Sequence, residues 1–162
     1  MSNAIVIFGS TTGVAEDVAN RIASKIGTTA ISVSDLNADV IAANDVLILG
    51  SSTWGYGDLQ DDWYDGVELL KTSKLTGKRV AVFGCGDSSS YSDTFCDAMS
   101  IIARAAVDAG ATLVGSVSTD GYTFDSSASA VDGRFVGLAI DEVNENDKTD
   151  GRIASWVATL GL

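Results

Sequence analysis

Histidine and proline are absent from this 162-residue chain, and cysteine occurs only twice. Without histidine, the protein can build neither an imidazole base nor a zinc site with imidazole ligands. The two cysteines, Cys85 and Cys96, are too few for a disulfide framework, and their spacing is not that of metal ligands. Any chemistry must therefore use carboxylates, hydroxyls, thiols or a bound cofactor.

Basic residues are also scarce. The chain has 10 Lys and Arg but 22 Asp and Glu, so its net charge is -12. This charge argues against nucleic acid or an anionic membrane as a partner and favours a protein with a basic surface. No apolar run approaches the ~20 residues of a membrane span. The start, Met1-Ser2-Asn3, lacks the regions of an export signal. We therefore expect a cytoplasmic protein of one domain.

What the chain does contain is a hydroxyl-rich turn near its start. The apolar, β-branched run at 4–8 predicts a strand, and the segment after the turn has helical spacing. Ser10, Thr11 and Thr12 stand beside the free N–H groups at the positive end of that helix, and Gly13 lets the backbone approach a ligand. This pattern predicts a phosphate site built from neutral donors. The alternative is an ordinary helix cap, since Ser and Thr are common N-cap residues.

Two nucleotide-binding fingerprints are missing from this turn. It has no Gly-Lys-Ser/Thr to reach β- and γ-phosphates, and only two glycines within 9–14, so the Gly-x-Gly-x-x-Gly pattern is absent. The turn is therefore sized for one terminal phosphate, as on a mononucleotide.

Apolar segments alternate between strand-like and helix-like spacing along the chain. Predicted strands lie at 4–8, 29–33, 46–49, 79–83 and 112–117, and predicted helices at 14–26, 38–43, 59–70, 95–106 and 153–160. The alternation predicts an α/β fold: a single-domain, doubly wound, five-stranded parallel sheet. Polar loops start at Gly9, Gly50 and Gly84, the second ending at Asp58 and the third at Tyr91. They can converge beyond the carboxyl ends of the strands, where such sheets bind ligands.

One region interrupts this alternation. About twenty mostly polar residues separate Val117 from the apolar fragment at 136–140, which is long for a structureless loop. We therefore expect an insertion at about 118–136 that splits the last strand. Eight carboxylates between Asp120 and Asp150, against Arg134 and Lys148, add to the negative charge.

Four motifs resemble those of the flavodoxin family, and the similarity covers essentially the whole chain. They are Gly-Ser-Thr-Thr-Gly-Val at 9–14, Ser-Thr-Trp-Gly-Tyr-Gly-Asp-Leu at 52–59, Phe-Gly-Cys-Gly-Asp-Ser-Ser-Ser-Tyr-Ser-Asp at 83–93 and Phe-Val-Gly-Leu-Ala-Ile-Asp-Glu at 135–142. The interruption before the fourth motif is similar to that of the long-chain branch. One motif alone is weak, whereas four in order at matching spacing are specific.

The resemblance implies one non-covalently bound FMN and electron transfer without a substrate of the protein's own. By position, it implies that residues of all three loops hold the cofactor: Ser10, Thr11, Thr12, Gly13, Val14, Ala15, Ser52, Thr53, Trp54, Gly55, Tyr56, Gly57, Cys85, Gly86, Asp87 and Tyr91.

Two aromatic residues are implied to flank the flavin ring. Trp54 and Tyr91 would lie on its two faces, while backbone groups around Gly86 and Asp87 meet its pyrimidine edge. As alternatives, Trp54 is a surface aromatic or packs on its own helix, and Tyr91 caps the helix that follows it.

Gly55 is implied to carry the conformational step that accompanies electron uptake. In this family the peptide after the aromatic residue turns its carbonyl toward flavin N5 once that nitrogen is protonated. Such a flip commonly needs φ > 0, which glycine accepts at no steric cost. Simple turn geometry at Gly55 and Gly57 is the alternative.

The roles of Ala15 and Cys85 in the proposed site need separate comment. The family's phosphate loop usually ends in Thr or Ser, but here Ala15 removes that hydroxyl, so phosphate affinity is expected to be weaker. Cys85, beside the ring-edge loop, is either a reactive thiol or contributes only its backbone and a small side chain.

Acidic residues near the loops are expected to lower the redox potential, because they raise the energy of an added negative charge. They are Asp58, Asp61, Asp62, Asp87 and Asp93. The alternative for each is a solvated position on a helix face.

The resemblance favours a low-potential, monomeric one-electron carrier between redox enzymes. Its partners would be ferredoxin/flavodoxin reductase-type donors and reductase-type acceptors with basic docking surfaces, reached through the acidic residues of 58–68. The alternative is an FMN-dependent quinone or azo reductase, although no segment indicates a substrate pocket or a nicotinamide site. A phospho-accepting receiver domain does not fit, since Gly9-Ser10 and Gly50-Ser51 occupy the positions where its acidic residues are needed.

Overall fold

A parallel sheet with helices on both faces forms the framework of the computed structural model, which describes residues 3–9, 13–54 and 58–162. The strands are β1 (Ala4–Gly9), β2 (Ala30–Ser32), β3 (Val46–Trp54), β4 (Asp58–Leu59), β5 (Arg79–Cys85), β6 (Thr112–Val114), β7 (Val117–Ser118), β8 (Ala130–Val131), β9 (Arg134–Phe135) and β10 (Leu138–Ile140). The helices are α1 (Val14–Ile26), α2 (Ala38–Ala43), α3 (Trp63–Thr72), α4 (Ala98–Asp108), α5 (Glu142–Glu145) and α6 (Thr149–Thr159).

The main sheet has the strand order β2, β1, β3, β5, with β6 and β10 sharing the outer edge of β5. These neighbours are all parallel, and their register places Ile7 beside Leu49 and Leu49 beside Val82. All three side chains are fully buried. Such continuous burial explains the unbroken apolar runs in the sequence, because helices cover both faces of a parallel sheet.

The two faces of the sheet hold two separate cores. Helices α3 and α4 contribute to one core, and α1 and α6 contribute to the other. In α1, Val18 and Ile22 lie one turn apart and are completely buried, each contributing roughly 1.5 to 3 kcal/mol. Gly27 ends α1 in the left-handed region, at φ 83°, and its N–H donates to Ala23 O at 2.9 Å.

The fifth strand position is split, as the sequence predicted. Strand β6 pairs with Arg79–Ala81 of β5, and β10 pairs with Phe83–Cys85 farther along the same strand. Gly137 lets the chain return to the sheet, because a Cβ there would lie 2.0 Å from the carbonyl oxygen of Val82. Residues 115–137 therefore form the insertion, slightly longer than the predicted interruption.

The insertion has its own small sheet and its own apolar cluster. Strands β7, β9 and β8 pair in that order and antiparallel. Phe135 is fully buried, with its ring centroid 4.9 Å from that of Tyr122 and 5.3 Å from that of Phe124. Phe124 in turn stacks on Phe95 at 5.6 Å. A few aromatic residues thus anchor a segment whose composition is mostly polar.

Several predicted boundaries were wrong, two of them around β3 and α3. The loop expected to begin at Gly50 begins later, because β3 continues to Trp54. Ser51 and Ser52 pair with β5, and Thr53 pairs with Leu59. Leu59 therefore belongs to β4, and α3 begins only at Trp63. Both errors arise because backbone pairing with neighbouring strands overrides the local sequence pattern.

Within residues 3–9, 13–54 and 58–162, no helix is both long enough and apolar enough to cross a lipid bilayer.

Candidate functional site

The ends of three neighbouring strands meet at one edge of the sheet. Gly9, at the end of β1, lies opposite Ser51 of β3, and Ser51 lies opposite Gly84 of β5. The loops after these strands therefore start side by side, as predicted for a ligand site at the carboxyl edge of a parallel sheet.

The first loop enters α1 through Gly13. This residue is the N-cap, in the left-handed region at φ 93°, and its carbonyl accepts from Asp17 N at 3.0 Å. A residue without a side chain thus occupies the cap, so neither serine nor threonine caps α1 at this position. Val14 is half-buried and Ala15 is completely buried in the core beneath the helix. The positive end of a helix dipole favours an anion nearby.

The last residues of β3 contribute hydroxyls with different surroundings. Ser51 Oγ donates to the carbonyl oxygen of Ser52 at 2.7 Å and accepts from Gln60 N at 3.1 Å. Thr53 Oγ1 accepts from Ala98 N at 3.2 Å. Ser52 is 8% exposed, and within the described chain its buried Oγ has no hydrogen-bond partner. Because buried hydroxyls are nearly always hydrogen-bonded, this oxygen marks where a ligand group is expected.

Several predicted site residues lie outside the described residues, and their roles stay predictions. They are Ser10, Thr11, Thr12, Gly55, Tyr56 and Gly57; only the backbone of Trp54 is described.

Asp87 organises the third loop. Its Oδ1 accepts from Ser89 N and Ser90 N, both at 3.1 Å, and from Asn144 Nδ2 at 2.8 Å. Burial by itself raises the pKa of Asp87, but hydrogen bonds from Ser90, Asn144 and Ser89 outweigh this effect and lower it from 3.8 to about 2. The carboxylate is therefore ionised at neutral pH and holds the turn closed.

Asp141 and Asn144, which the sequence analysis did not single out, fasten this loop to the last strand. Asp141 is fully buried, follows β10 directly, and accepts from the N–H of Ser88 at 3.3 Å and from the Ser88 hydroxyl. Asn144 Nδ2 also lies 3.1 Å from Asp141 Oδ1. The available signal was an acidic residue directly after a buried strand, at the same edge as the other loops.

Gly86 and Tyr91 bound the turn. Gly86 N donates to Ile140 O at 3.0 Å, and a Cβ on Gly86 would lie 3.0 Å from Cys96 N, which explains the glycine. Tyr91 is 51% exposed and makes no side-chain cap bond to the short 3-10 turn after it. The capping alternative is therefore not supported, and the exposed ring can stack on a flat ligand.

Both cysteine thiols are buried and unsuited to reaction. Burial, together with smaller contributions from the nearby charges of Glu142 and Asp17, raises the pKa of Cys85 from 9.0 to about 12. Burial also raises the pKa of Cys96 well above 9.0. The reactive-thiol alternative for Cys85 is thus disfavoured, because nucleophilic cysteines are thiolates.

Exposed carboxylates lie beside the site. Asp58, Asp61, Asp62 and Asp93 are all exposed, as are Asp65 and Glu68 on the outer face of α3. The sequence contains no Lys or Arg within 9–15, 50–70 or 84–93 to balance them. The site therefore combines local N–H and hydroxyl donors with an overall negative field, an arrangement suited to binding a flat ligand that carries a phosphate group.

Comparisons with known proteins match the chain to one family. The sequence matches the family model described as Flavodoxin over residues 6–156. It is 38% identical over 167 residues to Flavodoxin 1 of Azotobacter vinelandii, covering 99% of this chain and 96% of that protein. It is 43% identical over 164 residues to a flavodoxin of Nostoc sp., with the same coverage of 99% and 96%.

Solved structures give the same result at the level of the fold. The crystal structure of Fusobacterium nucleatum flavodoxin bound to flavin mononucleotide superposes with a TM-score of 0.92. The two chains are 25% identical, and the match covers 99% of this chain and 98% of that one. An oxidised Flavodoxin 2 from Bacillus cereus superposes with a TM-score of 0.78 at 26% identity, covering 99% and 98% of the two chains.

Proposed function

The chain belongs to the flavodoxin family, and on that premise we propose that it is an electron carrier that binds one FMN non-covalently at the carboxyl edge of its sheet. FMN, when bound, supplies one-electron redox chemistry, and the protein has no substrate of its own. The main support for the proposal is that residues 6–156 match the flavodoxin family model and that the fold is shared with an FMN-bound flavodoxin.

The described residues fit such a cofactor. The buried Oγ of Ser52, which has no hydrogen-bond partner in the described part of the chain, needs one at this edge. Gly13 begins α1, and the N-terminus of a helix favours a phosphate. The exposed ring of Tyr91 offers a flat apolar surface.

Each loop then has a distinct task. Ser10, Thr11 and Thr12, with the N–H groups at the start of α1, hold the phosphate through neutral donors. Trp54 and Tyr91 cover the two faces of the ring system and exclude water from it. Gly86 and Asp87 present backbone groups to its polar edge, held in place by the hydrogen bonds to Asp141 and Asn144.

The remaining residues of the proposed site lie in or next to the same three loops. Val14, Ala15, Thr53 and Cys85 shape its floor through backbone and small side chains, and Gly55, Tyr56 and Gly57 border the ring after Trp54.

The negative field favours a low redox potential. A unit charge at ~10 Å and an effective dielectric constant of ~20 contributes on the order of 1 kcal/mol before salt screening. Asp58, Asp61, Asp62, Asp87 and Asp93 lie in or beside the loops, and no Lys or Arg lies within those loops in the sequence. These carboxylates raise the energy of any negative charge added at the site, and so they lower the potential.

The same charge distribution suits transient docking. Redox partner proteins follow from the family, and we propose that they carry basic surfaces complementary to the acidic residues of 58–68. Reductase-type donors and acceptors in the cytoplasm are the proposed partners, and the carrier is proposed to act as a monomer. Electron transfer should then slow as salt screens the attraction.

The experiment that tests FMN binding is a titration of the apoprotein, with the quenching of flavin fluorescence as the readout. A saturable 1:1 end point with FMN, and clearly weaker binding of riboflavin, which lacks the phosphate, is expected. Equal affinity for the two flavins would contradict the phosphate site. Rapid bleaching of the bound flavin by NADPH alone would instead favour the quinone or azo reductase, which the comparisons do not favour.

A further inference from the structure

A second cavity lies away from the carboxyl edge of the sheet, between the insertion and α6. Its volume is about 670 Å³, within the range of small-molecule sites. Part of its wall is apolar, formed by the half-buried side chains of Val117 and Tyr122 above the buried Leu138 and Trp156. The described residues of the proposed FMN site, from Gly13 to Tyr91, do not line it. The cavity is therefore a separate feature of the molecule.

The insertion creates this cavity. Seven of its 14 lining residues belong to 115–137, and the other seven belong to the start of β10, to α6 or to the turn before α6. The insertion leaves the sheet after β6 and rejoins it at β10, so the wall opens where the fifth strand position is split.

Basic residues are concentrated around the cavity. Three of the chain's 10 Lys and Arg line it, namely Arg134, Lys148 and Arg152. Asp120 also lines it, and Glu145 pairs with Lys148 at 2.7 Å and with Arg152 at 3.0 Å. The cavity and the residues paired with its wall thus hold three positive and two negative charges, although the whole chain has a net charge of -12. The excess positive charge favours an anionic occupant.

The cationic wall is held in position before any ligand binds. The guanidinium carbon of Arg152 lies 3.9 Å from the centroid of the Tyr122 ring, whose hydroxyl donates to Ala139 O at 2.7 Å. Arg134 donates to the Ser116 hydroxyl at 3.1 Å and to the Ser116 carbonyl at 3.0 Å. Stacking and hydrogen bonds of this kind reduce the entropy lost when a ligand is bound.

Arg152 also has unused hydrogen-bonding capacity. Its Nη2 donates to Glu145 and to Gly121 O, but its buried Nη1 has no hydrogen-bond partner among the residues that the structure describes. Buried guanidinium nitrogens normally find an acceptor, so an acceptor group is expected beside this wall.

We propose that this cavity binds a small organic carboxylate with a flat apolar body, its carboxylate near Arg134 and Arg152 and its apolar part against Val117 and Tyr122. Guanidinium groups recognise carboxylates through paired hydrogen bonds, and the apolar wall accounts for the rest of the ligand. This site is independent of the FMN site and does not rest on the function proposed above.

The test uses the FMN-loaded protein, so that the flavin site is filled. The ¹⁵N-labelled holoprotein is titrated with 2-naphthoate and, separately, with the uncharged analogue 2-naphthalenemethanol. We expect saturable shifts of the Trp156 indole N–H and of insertion amides with naphthoate, an affinity for the alcohol that is weaker by about tenfold, and an unchanged flavin absorption spectrum.

Two pairs of variants locate the binding. Arg134→Gln should weaken naphthoate binding by about tenfold, whereas Lys71→Gln, which removes an exposed cation paired with Glu68 on α3, should not. Ser155→Phe, at an exposed position of α6 that lines the cavity, should block both probes. Ala154→Phe, at the adjacent exposed position outside the lining, should leave binding intact.

The proposal fails if naphthoate gives no saturable shifts around the insertion. It also fails if naphthoate and the alcohol bind equally well, or if Arg134→Gln and Lys71→Gln have the same effect.

Discussion

The Nδ2 atom of Asn144 lies 2.8 Å from Oδ1 of Asp87, and this hydrogen bond joins α5 to the loop that follows β5. Asn144 Oδ1 also accepts from the Ser89 hydroxyl at 3.0 Å. One amide group therefore fastens the proposed ring-edge loop to the chain that follows the last strand.

Asn144→Ala should raise the pKa of Asp87 from about 2 toward its ordinary 3.8, because a donor that stabilises the carboxylate is lost. Since the folded-state pKa of Asp87 is depressed, its stabilising contribution is present above pH 3.8 and is lost as the pH falls toward 2. The variant should lose part of that contribution. Carboxyl ¹³C chemical shifts followed by NMR against pH give the pKa directly.

Asn146→Ala is the matched control for this change. Asn146 is exposed, and no side-chain hydrogen bond to it is found in the described part of the chain. Its substitution should leave the titration of Asp87 unchanged, and an equal shift in both variants would rule out a specific role of Asn144.

Ser52→Ala should weaken FMN binding without lowering the stability of the apoprotein. The buried Oγ of Ser52 has no hydrogen-bond partner among the described residues, so its removal takes away a desolvated polar atom. The free energy of unfolding should therefore stay equal or rise by up to ~1 kcal/mol. The lost bond to the cofactor should weaken FMN affinity by about fivefold. Urea unfolding and a fluorescence titration measure the two effects.

Ser51→Ala, in contrast, should lower the stability of the apoprotein. The Ser51 hydroxyl makes hydrogen bonds to Ser52 O and Gln60 N, so its loss should cost the apoprotein about 1 to 2 kcal/mol. If the two variants have the same stability, the assignment of Ser52 to the ligand is wrong.

Ala15→Ser should strengthen FMN binding, because it places a hydroxyl at the start of α1. A hydrogen bond to a charged acceptor is worth ~1.5 to 3 kcal/mol, or about 10- to 100-fold in affinity. Riboflavin affinity should not change, since riboflavin has no phosphate. Ala19→Ser is the control: it adds a hydroxyl at an equally buried position one turn farther along α1, and it should only destabilise the protein. A gain in riboflavin affinity would contradict the expected contact.

The cysteine thiols should be inert in the folded protein. Burial raises the pKa of Cys85 to about 12, so its thiol stays protonated at neutral pH. The stability linked to this shift is complete below pH 9 and declines toward pH 12, because the unfolded chain ionises first. A chromogenic disulfide reagent at neutral pH should react with both cysteines only after unfolding, and rapid reaction of the native protein would contradict their burial.

The sequence was most informative where apolar spacing and glycine coincide. The helix at 38–43 and the end of α1 at Gly27 were correctly predicted, since each segment's local pattern agrees with its packing. The split of the last strand was also predicted, because a long polar stretch separates two apolar fragments.

Contacts between residues far apart in the sequence could not be predicted from local sequence patterns. Leu59 follows the helical spacing of α3, yet it pairs with Thr53 in a hairpin. Phe124 and Phe135 give the insertion a core of its own through contacts with Phe95, which lies far away in the sequence. Asn144 likewise reaches Asp87 only because α5 follows the strand beside β5.

The central claim, that the protein carries one electron at a time, is tested most directly by a dithionite titration of the FMN-loaded protein followed by visible absorption. We expect a long-wavelength band that grows to a maximum near one electron per FMN and fades as the second electron is added. Direct bleaching without that band would contradict the account and would instead indicate a two-electron reductase.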